Sequence, residues 1–141
     1  MRAVRDSGKV SLGTLVLLLL LGGAVYVGSQ YVPLLVDRLD VKEAVAAAHN
    51  LAGRNLNDAV LRGEIRQRTS EMGTHEEPDG WGGLRTVPGL GLTDEQIRIE
   101  RNGVTGSVRI EVLWDRTVTL KPTRRTHTFH FRVLKEGIPP R

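Results

Sequence analysis

From Val10 to Val36 the chain runs through 27 consecutive uncharged residues, with Leu15-Val16-Leu17-Leu18-Leu19-Leu20-Leu21 as a wholly apolar stretch inside them. A hydrocarbon core of about 30 Å is crossed by about 20 helical residues. Backbone amides in lipid must find partners within the segment. The run therefore predicts a membrane-spanning helix over residues 10–32, with Tyr26 and Tyr31 near its far end, where phenolic rings favour the headgroup zone. Pro33 follows, and a proline here is expected to kink the helix or start a new one. Beyond it Leu35, Leu39, Val41, Val45, Ala48 and Leu51 recur at helical spacing, against a polar face of Asp37, Arg38, Lys42, Glu43 and His49. This predicts a helical stem over 33–53, stopped by Gly53. Anchor and stem together would make a rod of about 40 residues and about 60 Å.

The remaining residues, 54–141, read as a compact domain. Asn57 can cap a second, shorter helix from Asp58 to about Thr69, with Val60, Leu61, Ile65 and Met72 toward a core. Residues 73–92 hold six glycines (73, 80, 82, 83, 89 and 91) and two prolines without a regular period. They read as a long loop, parts of which dock through Trp81, Leu84, Val87, Leu90 and Leu92. Period-two alternation begins at Ile97 and Ile99. Asn102-Gly103 signals a two-residue hairpin turn. A second strand over about 107–120 puts Val108, Ile110, Val112 and Trp114 on one face. A third puts Phe129, Phe131 and Val133 on one face, after the polar turn 121–125. One apolar and one wet face suits an antiparallel sheet covered by a helix. The expected fold class is α+β: a long N-terminal membrane-spanning helix, a short second helix and a three-stranded antiparallel β-meander.

Charge orients the span. Arg2, Arg5 and Lys9 precede it against Asp6 alone, whereas Asp37, Arg38, Asp40, Lys42 and Glu43 nearly balance beyond it. The positive-inside rule puts residues 1–9 in the cytoplasm and the rest outside. The competing reading is a signal peptide cut near Gly22-Gly23-Ala24. The apolar run continues through Val25, Tyr26, Val27 and Val32, beyond a signal h-region of about 7–15 residues, which favours a retained anchor. Absence of cysteine excludes disulfides, thiolate metal sites and a cysteine nucleophile.

The order of motifs resembles a family of small bacterial single-pass membrane proteins whose N-terminal helix is like that of type IV pilins. The residues that carry it are Ser7-Gly8-Lys9-Val10-Ser11-Leu12-Gly13 opening the anchor and Tyr31-Val32-Pro33 with Asp40-Val41-Lys42 at the membrane exit. Ile97-Arg98-Ile99-Glu100-Arg101-Asn102-Gly103 and the strand ending Trp114-Asp115-Arg116-Thr117-Val118-Thr119-Leu120 complete it. The resemblance implies a pilin-like fold in the bacterial inner (cytoplasmic) membrane with a periplasmic domain. It also implies a prepilin-type cut after Gly8, leaving Lys9 as the new N-terminus, and packing of anchor helices against one another. Pilins usually carry a glutamate five residues after the cut; here that position is Gly13.

Side-chain chemistry points away from catalysis. His127 and His130 lie three apart on an expected strand and so face opposite ways. His75-Glu76-Glu77 is a weak metal candidate that reads better as a solvated loop, and no metal or cofactor is expected. The glycines at 80–91 lack the lysine and helix of a phosphate loop. From Asp94 onward ten Lys or Arg face six Asp or Glu, an excess of four positive charges. Within it Lys121, Arg124 and Arg125 could contact a polyanion: lipid headgroups, cell-wall polymer or DNA. Few aromatics interleave with these cations, which argues against single-stranded nucleic acid. The expected function is a non-enzymatic, membrane-anchored structural or assembly protein, with a protein partner or self-association through the N-terminal helix. The alternative is an envelope binding module for a polyanion.

Overall fold

The computed structural model describes residues 11–120 and 125–140. Its elements are α1 (Leu12–Ala52), α2 (Asp58–Thr69), β1 (Thr74–Pro78), β2 (Leu84–Pro88), β3 (Ile97–Arg101), β4 (Val108–Leu120) and β5 (Arg125–Gly137). The fold is α+β, with one long apolar N-terminal helix, a short second helix and two antiparallel sheets. Two compact units meet at the Val32–Pro33 junction.

In the first unit, Ser11 opens α1: its Oγ accepts a hydrogen bond from the Thr14 N–H at 3.2 Å, and its carbonyl accepts one from the Leu15 N–H. These satisfy amides that a helix start otherwise leaves unpaired. Residues 11–27 are all exposed, the leucines included. By length and composition α1 can cross a membrane.

In the second unit, Leu34, Asp37, Val41, Ala44, Val45, Ala48, His49 and Ala52 form the buried stripe of α1. The alanines let a sheet approach the helix closely. The stripe differs from the expected one. Leu35 and Leu39 are exposed, while Asp37 and His49, expected in water, are buried. The true stripe follows a 3.6-residue period anchored on Val41 and Val45, and Leu35 and Leu39 fall off it. Residues 33–52, expected as a stem, thus belong to this unit and give it Val41, Val45, Ala48 and Ala52 as core residues.

The main sheet has the order β3-β4-β5, all antiparallel. Register places Ile97, Val112 and Val133 in one cross-strand row, with Trp114 beside Phe131 in the next but one. Ile97, Val108, Ile110, Val112, Trp114 and Val133 are buried, and Ile99 and Phe131 are half-buried against them. The alternation places the strand faces as expected. Leu61 and Ile65 of α2 enter the same core, whereas Val60 is exposed and Met72 half-buried. Asn57 caps α2 by accepting from the Ala59 N–H at 2.9 Å. Full burial of an aliphatic side chain of this kind contributes about 1.5–3 kcal/mol.

Two turns depart from expectation. Asn102-Gly103 is not a two-residue hairpin turn, since β3 ends at Arg101 and β4 starts at Val108. The Asn102 Oδ1 instead accepts from the N–H groups of Val104 and Thr105, a side-chain-built turn. The loop closes at Gly106, which takes the left-handed φ of 72°. Residues 73–92, expected to be a loop, contain the β1–β2 hairpin, paired from Thr74–Pro88 to Pro78–Leu84. Its turn is organised by Asp79, whose Oδ1 accepts from the N–H groups of Trp81 and Gly83, both at 2.8 Å.

Candidate functional site

Of the residues singled out from sequence, Gly8, Lys9, Lys121 and Arg124 lie outside the described residues. Arg125 is the first residue of β5 and is exposed.

The histidines are all engaged locally or apart from one another. His75 Nδ1 donates to the Gly89 carbonyl at 2.7 Å and Nε2 faces Glu77 Oε1 at 3.1 Å. The ring packs so closely on Gly91 that a Cβ there would fall 2.6 Å from it. Hydrogen bonding from His75, then from Arg85, holds the exposed Glu77 carboxyl below the usual range. This cluster fastens the hairpin. His130 Nδ1 donates to Asp115 Oδ1 at 2.6 Å on the outer face of the sheet, and His127 pairs across from Val118 on the other face. Among the described residues no group of three or more potential ligands could hold a metal ion.

The carboxylates on the sheet's outer face are cross-strand partners. Arg132 donates to Glu111, and Thr117 and Thr128 share a hydrogen bond at 3.1 Å. Arg101 has a different task. Its guanidinium donates to Asp58 at 2.8 Å and to the carbonyls of Ala52 and Asn55. It thereby ties the end of α1 to the start of α2, supplying a donor to carbonyls that a helix C-terminus leaves unpaired.

Three features were missed or misplaced in the sequence. The first is Asp37, 4 % exposed, with Arg116 Nη2 at 3.0 Å from its Oδ2. The pair is electrostatic: Oδ2 lacks a well-directed hydrogen bond among the described residues. Burial raises the Asp37 pKa, Arg116 offsets part of that rise, and Asp40 adds to it. The signal available in sequence was only that Asp37 is the first charge after the apolar run.

The second is a groove of about 500 Å³ along β5 and the exposed side of α1. Leu35, Leu39 and Leu134 supply its apolar surface and Arg38, Lys42 and Arg132 its charge. Among the described residues no acidic side chain lines it. The third is Trp81, expected to dock but 95 % exposed at the tip of the β1–β2 hairpin, as Leu84 is exposed beside it while Leu90 and Leu92 are buried; Asp79 holds this turn by two hydrogen bonds. An indole so exposed on so braced a turn buries nothing for the fold. The groove and Trp81 are open to solvent, whereas the Asp37–Arg116 pair is buried. No protein family, curated protein or solved structure matches the chain.

Proposed function

We propose that this chain is a membrane-anchored, pilin-like structural or assembly protein of the bacterial envelope, without enzymatic activity. The first part of α1 acts as a retained inner-membrane anchor, with the N-terminus cytoplasmic and the unit from Pro33 onward periplasmic. The supporting observation is the exposed apolar surface of α1, all round the helix from Leu12 to Val27. A helix apolar on every side suits lipid or other helices, not water. Cleavage near Gly22-Gly23-Ala24 would release a domain still bearing exposed Val25, Val27 and Val32, which argues for retention. Work is then done by association of anchors and by surfaces of the periplasmic unit. Gly13, Gly22, Gly23 and Gly28 have free space over their Cα atoms apart from an ordinary contact at Gly13, and small residues allow close helix approach. The test is a cysteine at Val16 in this cysteine-free chain: oxidation in native membranes should give disulfide-linked dimers, and none form if the anchors do not associate.

The second reading, a binding module for a polyanion through Lys121, Arg124 and Arg125, draws on the charge excess in the C-terminal half and on the exposure of Arg125. Retention of the purified protein on anionic vesicles that falls steeply with salt, and is lost in the triple alanine variant, would favour it.

A further inference from the structure

The hairpin tip and the leucine groove have opposite characters. Residues 74–88 carry Glu76, Glu77 and Asp79 against Arg85, a net charge of −2, and end in an exposed indole. The groove carries three leucines and the cations Arg38, Lys42 and Arg132, of which Arg132 is paired with Glu111. Among the described residues, Glu76, Arg38 and Lys42 have no ion-pair or hydrogen-bond partner. The base of the hairpin and the groove adjoin the same turns of α1. The hairpin starts at Gly73, so close to Asp37 that a Cβ would lie 2.7 Å from the Asp37 carboxylate. Leu35, Arg38, Leu39 and Lys42 flank Asp37 on the same helix, and Asp37 itself is turned inward. Beside the groove runs β5, which among the described residues is an edge strand paired with β4 alone. An open edge is a ready template for another segment.

We infer that the Trp81 hairpin of one copy of this chain docks into the Leu35–Leu39–Leu134 groove of a second copy, with Glu76 toward Arg38 and Lys42. An aromatic anchor in a leucine-lined pocket with charges at the rim is how a small interface concentrates its affinity. A groove of about 500 Å³ has room for an indole. The contact joins two different surfaces, so it is heterologous: each copy offers a free hairpin and a free groove, and the contact propagates into a ring or a row. The inference rests on the anchored reading above, because spans in a common membrane raise the effective concentration of hairpin and groove.

The test uses the full-length chain reconstituted in phosphatidylcholine vesicles. One tagged copy carries Leu84→Cys on the hairpin and an untagged copy carries Leu134→Cys at the groove; both keep Trp81. Mild oxidation should give the mixed disulfide about tenfold over either homodimer. Trp81→Ala in the hairpin copy should reduce the mixed product about tenfold, since this exposed side chain is not needed for folding. Glu76→Lys should reduce it severalfold, and Arg38→Glu in the groove copy should restore it. Equal yields from Leu84→Cys with Leu134→Cys and with Val104→Cys, an exposed position on another loop, would mean random collision and overturn the inference. So would preferred Leu134→Cys homodimers, or a cross-link that only anionic lipid abolishes, since lipid would then be the occupant. Val16→Cys cross-links without the mixed product would sink the hairpin contact and leave the anchor reading standing. Absence of both would remove both.

Discussion

Leu18 and Val45 belong to the same helix, yet Leu18 is largely exposed and Val45 has no exposed surface. Around Leu18 the helix is apolar on every side; around Val45 it is apolar on one side and charged on the other. Helix propensity is ample in both stretches, so it does not distinguish them. The difference is in what each surface expects to meet. The second half meets its own sheet and needs one stripe; the first half is uncharged and exposed from Ser11 to Val27. That contrast supports reading the first half as facing lipid or other copies.

The contrast can be broken most sharply by cavity formation. Ile110→Ala should destabilise the unit from Pro33 onward by about 2–5 kcal/mol, because Ile110 is fully buried and the neighbours cannot collapse fully into the space. Leu18→Ala should leave the denaturant midpoint of that unit unchanged. If Leu18→Ala shifts it as much as Ile110→Ala does, the two halves do not differ in the way described.

Next in size is the Asp37–Arg116 pair. Arg116→Met leaves a buried carboxylate without its partner and should destabilise the unit by about 3 kcal/mol. Adding Asp37→Asn should recover much of the loss. The pH dependence has a defined sign. The folded pKa of Asp37 is raised, so the folded state holds this proton more tightly than the unfolded one. Its stabilisation is complete below the unfolded value and is lost as pH rises through the raised folded value. Asp37→Asn should therefore gain on the wild type as pH rises across that window in chemical melts. A gap that narrows instead would mean burial is not the main influence on this carboxyl. Phe131→Ala should cost less than Ile110→Ala, because Phe131 is only half-buried against the core. The smallest change is Gly63→Ala: Gly63 is inside α2 with open space over its Cα, and the substitution should stabilise by up to about 1 kcal/mol.

What the sequence disclosed depended on whether a residue's role is set by its neighbours in the chain. The strands around Val108–Trp114 and Phe131–Val133 alternate strictly, because one face of that sheet is buried. The α2 cap at Asn57 was equally plain, since capping is local. The β1–β2 hairpin was hidden because neither strand alternates in apolar residues: it is held by backbone pairing, the Asp79 turn and His75. Asn102-Gly103 misled because the Asn102 side chain competes for the backbone and transfers the left-handed position to Gly106. The groove could not be read at all. It joins Leu35–Lys42 to Arg132–Leu134, segments brought together only by the register of β5 on β4 and the packing of α1 on the sheet. Leu35 and Leu39 looked like core residues, and their exposure became evident only once Val41 and Val45 fixed which side of α1 faces the sheet.

Residues 10–32 serve as a membrane anchor only if they remain in the mature protein. The direct measurement is intact mass spectrometry of the protein from alkaline-carbonate-washed membranes, with the soluble periplasmic fraction analysed alongside. The expected result is a carbonate-resistant chain that begins at Met1, Arg2 or Lys9 and retains the whole apolar run. A soluble periplasmic fragment that begins near Val25, with none left in the washed membranes, would contradict it.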